Sequence, residues 1–223
     1  MNYYFLLIEI TLVFGLMILF YKFFKKTGLY LYIALMSSVL GVLTFKSIDI
    51  LSFQVNVGII IMMGIFISNN IIIQRYGLDE IKKIIYTFLG GFITPIGVIS
   101  LANLINSSVD FIDISGLFDT LFSYSFENIR VIIANIISIA FMIWYNGIIY
   151  YYIRRIKNNL VFSNIGSILI IQFIEAILFV LVAYMGSFQI VEIFGMIVIR
   201  YLLKLLVGIL GLVPVFTITK MKG

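Results

Sequence analysis

Residues 154–189 read Arg154-Arg155-Ile156-Lys157-Asn158-Asn159, then Leu160-Val161-Phe162-Ser163-Asn164-Ile165-Gly166-Ser167-Ile168-Leu169-Ile170-Ile171-Gln172-Phe173-Ile174-Glu175-Ala176-Ile177-Leu178-Phe179-Val180-Leu181-Val182-Ala183-Tyr184, and then Met185-Gly186-Ser187-Phe188-Gln189. Three cations lead in, one carboxylate stands in the apolar run, and the exit is almost uncharged. An apolar run of about 20 residues is long enough to cross a bilayer as a helix. Basic residues concentrate at the cytoplasmic end of such spans. This stretch therefore reads as a membrane helix entering from inside and leaving outside.

The rest of the chain repeats the pattern. Apolar runs lie at 4–21, 28–45, 55–74, 84–105, 128–152, 160–184 and 190–216. Lys22, Lys25 and Lys26 follow the first run; Arg75, Lys82 and Lys83 follow the third; Arg154, Arg155 and Lys157 follow the fifth; Lys220 and Lys222 follow the seventh. The opposite exits hold Lys46 offset by Asp49, then Asp110, Asp113, Asp119 and Glu127, then Gly186-Ser187-Phe188-Gln189. The alternation predicts an all-α polytopic membrane helix bundle of about seven spans, N-terminus outside and C-terminus inside. The 28–45 run is short and carries Ser37 and Ser38. The last run is long enough for a break near Gly208, Gly211 and Pro214.

Composition agrees. Of 223 residues, 63% are hydrophobic and 11% charged, against about 25% charged in a soluble domain. That excludes a soluble enzyme and a disordered chain, and long unbroken apolar runs disfavour an outer-membrane barrel. There is no His and no Cys, so disulfides, zinc thiolates, iron–sulfur clusters, His- or Cys-ligated haem and His-based acid–base catalysis are excluded. No cofactor or metal site is expected. The net charge of +5 is scattered between apolar runs, so it marks topology rather than a nucleic-acid surface. The first span has no basic leader and no small-residue cleavage site, so a cleaved signal peptide is not expected. Residues 1–223 read as one integral-membrane domain. The 106–127 loop is read either as a short interfacial helix, with Phe111, Ile112, Ile114, Leu117, Phe118 and Leu121 dipping into lipid, or as a solvated connector.

Two spans look alike at an offset of 29 residues. Asn135, Ser138 and Asn146 lie over Asn164, Ser167 and Glu175. Steps of three and eight keep each set near one helix face, so each span carries a polar stripe. Repeats of this kind occur in transporters, with the substrate at the repeat interface; chance matches in an Ile-rich chain are the alternative. Ionisable residues at membrane depth are costly and point to function. Glu175, with Gln172 one turn before it, and Arg200 and Lys204, one turn apart, are the candidates. They form either a structural ion pair or part of a ligand cavity. Glu9 reads as a boundary residue. Asn70 and Gln74 share a face and either join helices or read the donors and acceptors of a planar ligand. Phe141, Trp144 and Tyr145 stand beside Asn146 as a belt at the membrane edge or as a stacking platform.

At this point the chain resembles a known family, the vitamin-uptake transporters whose characterised members carry queuosine precursors. The third span, from Asn70 to Gly77, resembles a family motif of an acid, three apolar or small residues, a second polar residue, then a basic residue, an aromatic and Gly. Arg130 opens the fifth span as in the family. Asn164, Ser167, Gln172 and Glu175 fall on an Asn, Ser, Gln-x-x-Asp pattern, with Phe179 and Gly186 in place, and Tyr201, Lys204 and Pro214 fall on a Tyr-x-x-Lys and a later Pro. Asn70 and Asn146 replace acids, Ile143 replaces a Gln, and Glu175 is one methylene longer than Asp.

The resemblance implies a six-helix core preceded by an N-terminal helix, a multi-pass protein of the cell membrane, and import of a 7-deazaguanine such as a queuosine precursor. It implies a substrate site made by Asn70, Gln74, Asn146, Asn164, Gln172, Glu175, Arg200 and Lys204. A guanine-like edge offers adjacent N–H donors that one carboxylate can accept together. Two alternatives stay open. One is a substrate-binding component for another vitamin or purine that works with an energising partner, since no ATP-binding motif is present. The other is a membrane protein with no transport role.

Overall fold

The computed structural model describes residues 2–50, 53–103, 105 and 125–221. The elements are α1 (Asn2–Leu43), β1 (Ser47–Ile50), β2 (Phe53–Asn56), α2 (Ile59–Tyr76), a 3-10 turn at Leu78–Glu80, α3 (Ile81–Ala102), α4 (Phe126–Ile156), α5 (Leu160–Tyr184), α6 (Ile190–Leu210) and α7 (Leu212–Lys220). The protein is a helical bundle with a single two-stranded hairpin among the described residues.

A straight helix with the 42 residues of α1 would reach about 63 Å at 1.5 Å per residue, twice the ~30 Å apolar core. It does not run straight. Lys25 breaks it with φ 52° and ψ −127°, and the arms 2–24 and 26–43 fold back on each other. The Phe20 and Tyr32 rings lie 6.4 Å apart, and a Cβ on Gly28 would run into the Phe20 carbonyl. Only glycine lets the two backbones approach so closely. The two arms are the first and second predicted spans, which makes seven crossings with α2 to α6.

The second arm carries its serines at little cost. Ser37 Oγ donates to the Ile33 carbonyl at 2.6 Å, the usual way a hydroxyl is hidden in a membrane helix. Ser38 does more. Pro95 lies inside α3 and has no N–H to give the carbonyl four residues back, that of Gly91. Ser38 Oγ donates to that carbonyl at 2.8 Å, replacing the missing donor. Gly91 allows this because its absent Cβ would fall on the Ala34 backbone.

The third span was predicted to start at 55, but 53–56 is a strand and the helix starts at Ile59. The reason is local. Asn56 Oδ1 takes the Gly58 N–H at 2.7 Å, its amide nitrogen donates to the Thr44 carbonyl, and the β1–β2 ladder runs from Ser47 opposite Asn56 to Ile50 opposite Phe53. The expected break in the last span falls at Gly211, which ends α6 and starts α7. Pro214 sits in the first turn of α7, where its missing N–H leaves nothing unpaired. The 106–127 loop lies largely outside the described residues, including Asp110, Asp113, Asp119 and the six apolar positions named above.

The two ends of the bundle, called inner and outer after the orientation that the charge pattern predicts, are tied by different contacts. At the inner end, Arg75 donates to Tyr21 Oη at 2.6 Å and to the carbonyls of Ile218 and Met221 at 2.6 and 2.9 Å. Glu80 pairs there with Lys26 at 3.0 Å and Lys83 at 3.3 Å and accepts from Tyr30 Oη. At the outer end, Arg130 donates to the Val182 and Met185 carbonyls at 3.2 and 2.7 Å and to Ser187 Oγ at 3.2 Å, closing the last turn of α5. In the middle, α2 is buried on every side from Ile59 to Ile73, including Ser68, Asn69 and Asn70. A helix that is apolar all round belongs at the centre of a bundle, and α2 is the axis around which α1, α4, α6 and α7 pack.

Candidate functional site

Four helices bring their polar residues to this axis. Asn70 of α2 donates to Asn164 Oδ1 of α5 at 2.9 Å and to Ser167 Oγ at 3.4 Å. Its own Oδ1 accepts from Asn146 Nδ2 of α4 at 2.7 Å. Asn164 is held in register by a bond from its Nδ2 to the Leu160 carbonyl at 2.9 Å. Asn69 reaches the other way, to the Ile143 carbonyl at 3.0 Å. Three helices are joined by one chain of amides. Such a chain stays in the bilayer only because its donors meet acceptors.

Further toward the outer side the network becomes ionic. Glu175 of α5 is fully buried; Arg200 Nη2 of α6 lies 3.2 Å from its Oε1, and Lys204 Nζ closes on its Oε2. The Arg200 guanidinium also stacks 3.6 Å from the Phe179 ring centre, a cation–π contact that helps a desolvated guanidinium, and touches Met62 Sδ at 3.7 Å. Gln172, one turn from Glu175, donates to Met142 Sδ at 3.5 Å. Among the described residues, Gln172 Oε1, Asn146 Oδ1, Ser138 Oγ, Ser68 Oγ and Arg200 Nε are buried without a hydrogen-bond partner. Buried polar atoms are nearly always paired. Unpaired ones in mid-span mark where a polar ligand or water would complete the bonding.

Both ends of this centre are shut. On the outer side a cavity of about 10 Å³ lies between Asn56, Phe179, Tyr184 and Arg200. On the inner side a larger cavity, about 500 Å³, is lined by Gln74, Gly77, Tyr150, Tyr151, Arg154 and Arg155. One turn deeper than Gln74 and Tyr150 lie Asn70 and Asn146. Tyr150 Oη donates to Gln74 Oε1 at 3.2 Å, one turn from the amides.

Of the eight residues singled out by sequence, Asn70, Asn146, Asn164, Gln172, Glu175, Arg200 and Lys204 are buried together in this centre. Gln74 stands apart, half-buried at the inner cavity. The two repeat stripes are buried throughout, Asn135 included, and α4 and α5 run antiparallel, so Asn146 at the end of one stripe meets Asn164 at the start of the other through Asn70. Trp144 and Tyr145 are 41% and 47% exposed, on the lipid face, as a belt requires and a stacking platform does not. Glu9 is half-buried in the first arm of α1. Sequence reasoning missed Ser68 and Asn69, which the same span displays beside Asn70, and Tyr150, one turn beyond Asn146.

A family model described as "Putative vitamin uptake transporter" matches residues 56–219, the hairpin's last residue through α7. The chain is 23% identical over 211 residues to the "Probable queuosine precursor transporter" of Bacillus subtilis (strain 168), covering 93% of this chain and 90% of that protein. No solved structure matches. Six helices long and apolar enough to cross a membrane, the first of them broken at Lys25, and a family match over most of the chain lead to one conclusion: the chain belongs to the family of vitamin uptake transporters and is a multi-pass membrane transporter.

Proposed function

We propose that this protein imports a 7-deazaguanine of the queuosine-precursor type and passes it through unchanged. The observation that carries the reading is Glu175, a carboxylate buried in mid-bundle between two cations, with the unpaired amide oxygen of Gln172 one turn away on the same helix. A guanine-type edge carries two adjacent N–H donors next to a carbonyl oxygen. Glu175 accepts the two donors, and Lys204, released from Glu175, donates to the carbonyl. Gln172, Asn146 and Asn70 complete the polar edges; Asn164 and Arg200 hold Asn70 and Glu175 in place. Gln74 acts at the inner passage rather than on the heterocycle. The similarity to a protein named as a queuosine precursor transporter supports the same ligand class.

The test is uptake into proteoliposomes of a radiolabelled 7-cyano-7-deazaguanine. Saturable uptake competed by unlabelled deazaguanines but not by a deazaadenine, whose edge reverses the donor and the acceptor, is the expected result. No uptake, or equal competition by the deazaadenine, would overturn the reading.

A further inference from the structure

The cations of the inner end differ in what they meet. Arg75 holds Tyr21 and two backbone carbonyls, Lys26 and Lys83 hold Glu80, and Lys157 lies 4.4 Å from the Phe162 ring centre. Arg154 and Arg155, in the last turn of α4, have no ion pair and no side-chain hydrogen bond among the described residues. Arg154 is half-buried, and its Nη1 is closed off from water without a partner. A buried donor that lacks an acceptor is costly, and a guanidinium cannot shed the cost by giving up its proton.

Both arginines line the inner cavity of about 500 Å³, and no carboxylate lines it. Glu80 is committed to Lys26, Lys83 and Tyr30, and Asp79, exposed in the turn beside it, pairs with neither arginine. The other polar groups of the wall add donors. Tyr150 Oη donates to Gln74 Oε1, which leaves Gln74 Nε2 to donate, and Tyr151 brings a second hydroxyl. Gly77 keeps the space open. Its φ is 91°, a conformation that favours glycine, and a Cβ there would meet no atom within 4 Å.

We propose that this cavity is a binding site for a phosphate monoester group, held by Arg154 and Arg155, with Gln74 and Tyr151 on its remaining oxygens. Charge selects this group over other anions. Two guanidinium groups bring two positive charges, and a phosphate monoester brings close to two negative ones at neutral pH, whereas a carboxylate or a chloride brings one. Its terminal oxygens also suit the forked donors of arginine. The site is separate from the centre around Glu175 and does not depend on the heterocycle proposed above. The same group is presented by a water-soluble phosphate compound and by the headgroup of phosphatidic acid.

The experiment takes the full chain in phosphatidylcholine nanodiscs at neutral pH and follows its melting temperature against inorganic phosphate, with chloride at equal ionic strength as the control. Phosphate is expected to raise the melting temperature saturably, and chloride is not. Arg154→Gln and Arg155→Gln are each expected to raise the half-saturating phosphate concentration at least about tenfold. Arg154→Lys, which keeps the charge and loses the fork, should raise it by less. Lys82→Gln, which removes an exposed cation of the same end outside the cavity, should leave it unchanged. A second disc containing phosphatidic acid separates the two sources. Loss of the response to soluble phosphate in that disc assigns the site to the lipid headgroup; a response that persists assigns it to a phosphate compound from water. Absence of a saturable phosphate response in the phosphatidylcholine disc overturns the proposal. So does a loss in Lys82→Gln equal to that in the arginine variants, which would make the effect general to a basic surface. Should one arginine variant fail to fold, the other and the wild-type comparison with chloride still decide.

Discussion

Asn70 shows how one residue joins three helices and why the residue type matters. Its Nδ2 donates to Asn164 Oδ1 and Ser167 Oγ, while its Oδ1 accepts from Asn146. Asn164 cannot turn its amide to help, because its Nδ2 is committed to the Leu160 carbonyl. Asn70→Asp therefore sets an acceptor against an acceptor at almost the same shape. The cost expected for one unsatisfied buried group is about 1–3 kcal/mol, seen as a lower melting temperature in detergent; an unchanged melting temperature would show that the amide chain does not hold the bundle together. The polar residues of the centre were legible in sequence because each interrupts an apolar run, where an amide or a charge is expensive without a partner. Arg75 was not legible in the same way. It stands where a topology-marking cation belongs, yet it clamps Tyr21 and the 218–221 segment, contacts set by tertiary packing and invisible to local pattern.

At the scale of elements, the α1–α3 contact depends on an exchange of donors. Pro95 deprives the Gly91 carbonyl of its helical N–H, and Ser38 supplies a hydroxyl from the neighbouring helix at 2.8 Å. Ser38→Ala is expected to cost about 1–3 kcal/mol. In a Pro95→Ala background, where the helix supplies its own N–H, the same change should cost much less. A double-mutant cycle on melting temperature reads the coupling directly, and additive effects would show that the hydroxyl is not replacing the lost bond. A second expectation concerns the fold-back of α1. Gly28→Val drives a side chain into the Phe20 backbone, whereas Gly15, with no atom within 4 Å of its would-be Cβ, should accept Ala. The yield of monodisperse protein should fall sharply for the first and stay level for the second. Seven runs, the break at Gly211 and the fifth and sixth spans were readable from apolar length and from glycine. The β1–β2 hairpin was not taken from the sequence, although Ser47-Ile48-Asp49-Ile50 alternates with period two as half-buried strands do; its shortness, next to long helical runs, hid it.

For the whole molecule, the alternation of basic ends predicts sidedness. Single cysteines introduced at positions 3, 47 and 187 should label from outside, and those at 25, 80 and 156 from inside, the chain having no cysteine of its own. Position 25 labelling from outside would undo the seven-crossing arrangement. Within that frame, the central claim is that the sealed polar centre around Glu175 recognises the transported ligand. Glu175 also holds Arg200 and Lys204, so Glu175→Gln will destabilise the protein under any reading, by about 3–5 kcal/mol where a buried pair is broken, and a lower melting temperature alone decides nothing. The decisive quantity is the affinity of the surviving folded fraction for 7-cyano-7-deazaguanine, measured beside the wild-type protein. Losing two hydrogen bonds to a charged acceptor, each worth about 1.5–3 kcal/mol, predicts a fall of roughly a hundredfold or more; an affinity equal to that of the wild-type protein would contradict the account and leave Glu175 as a structural counter-ion.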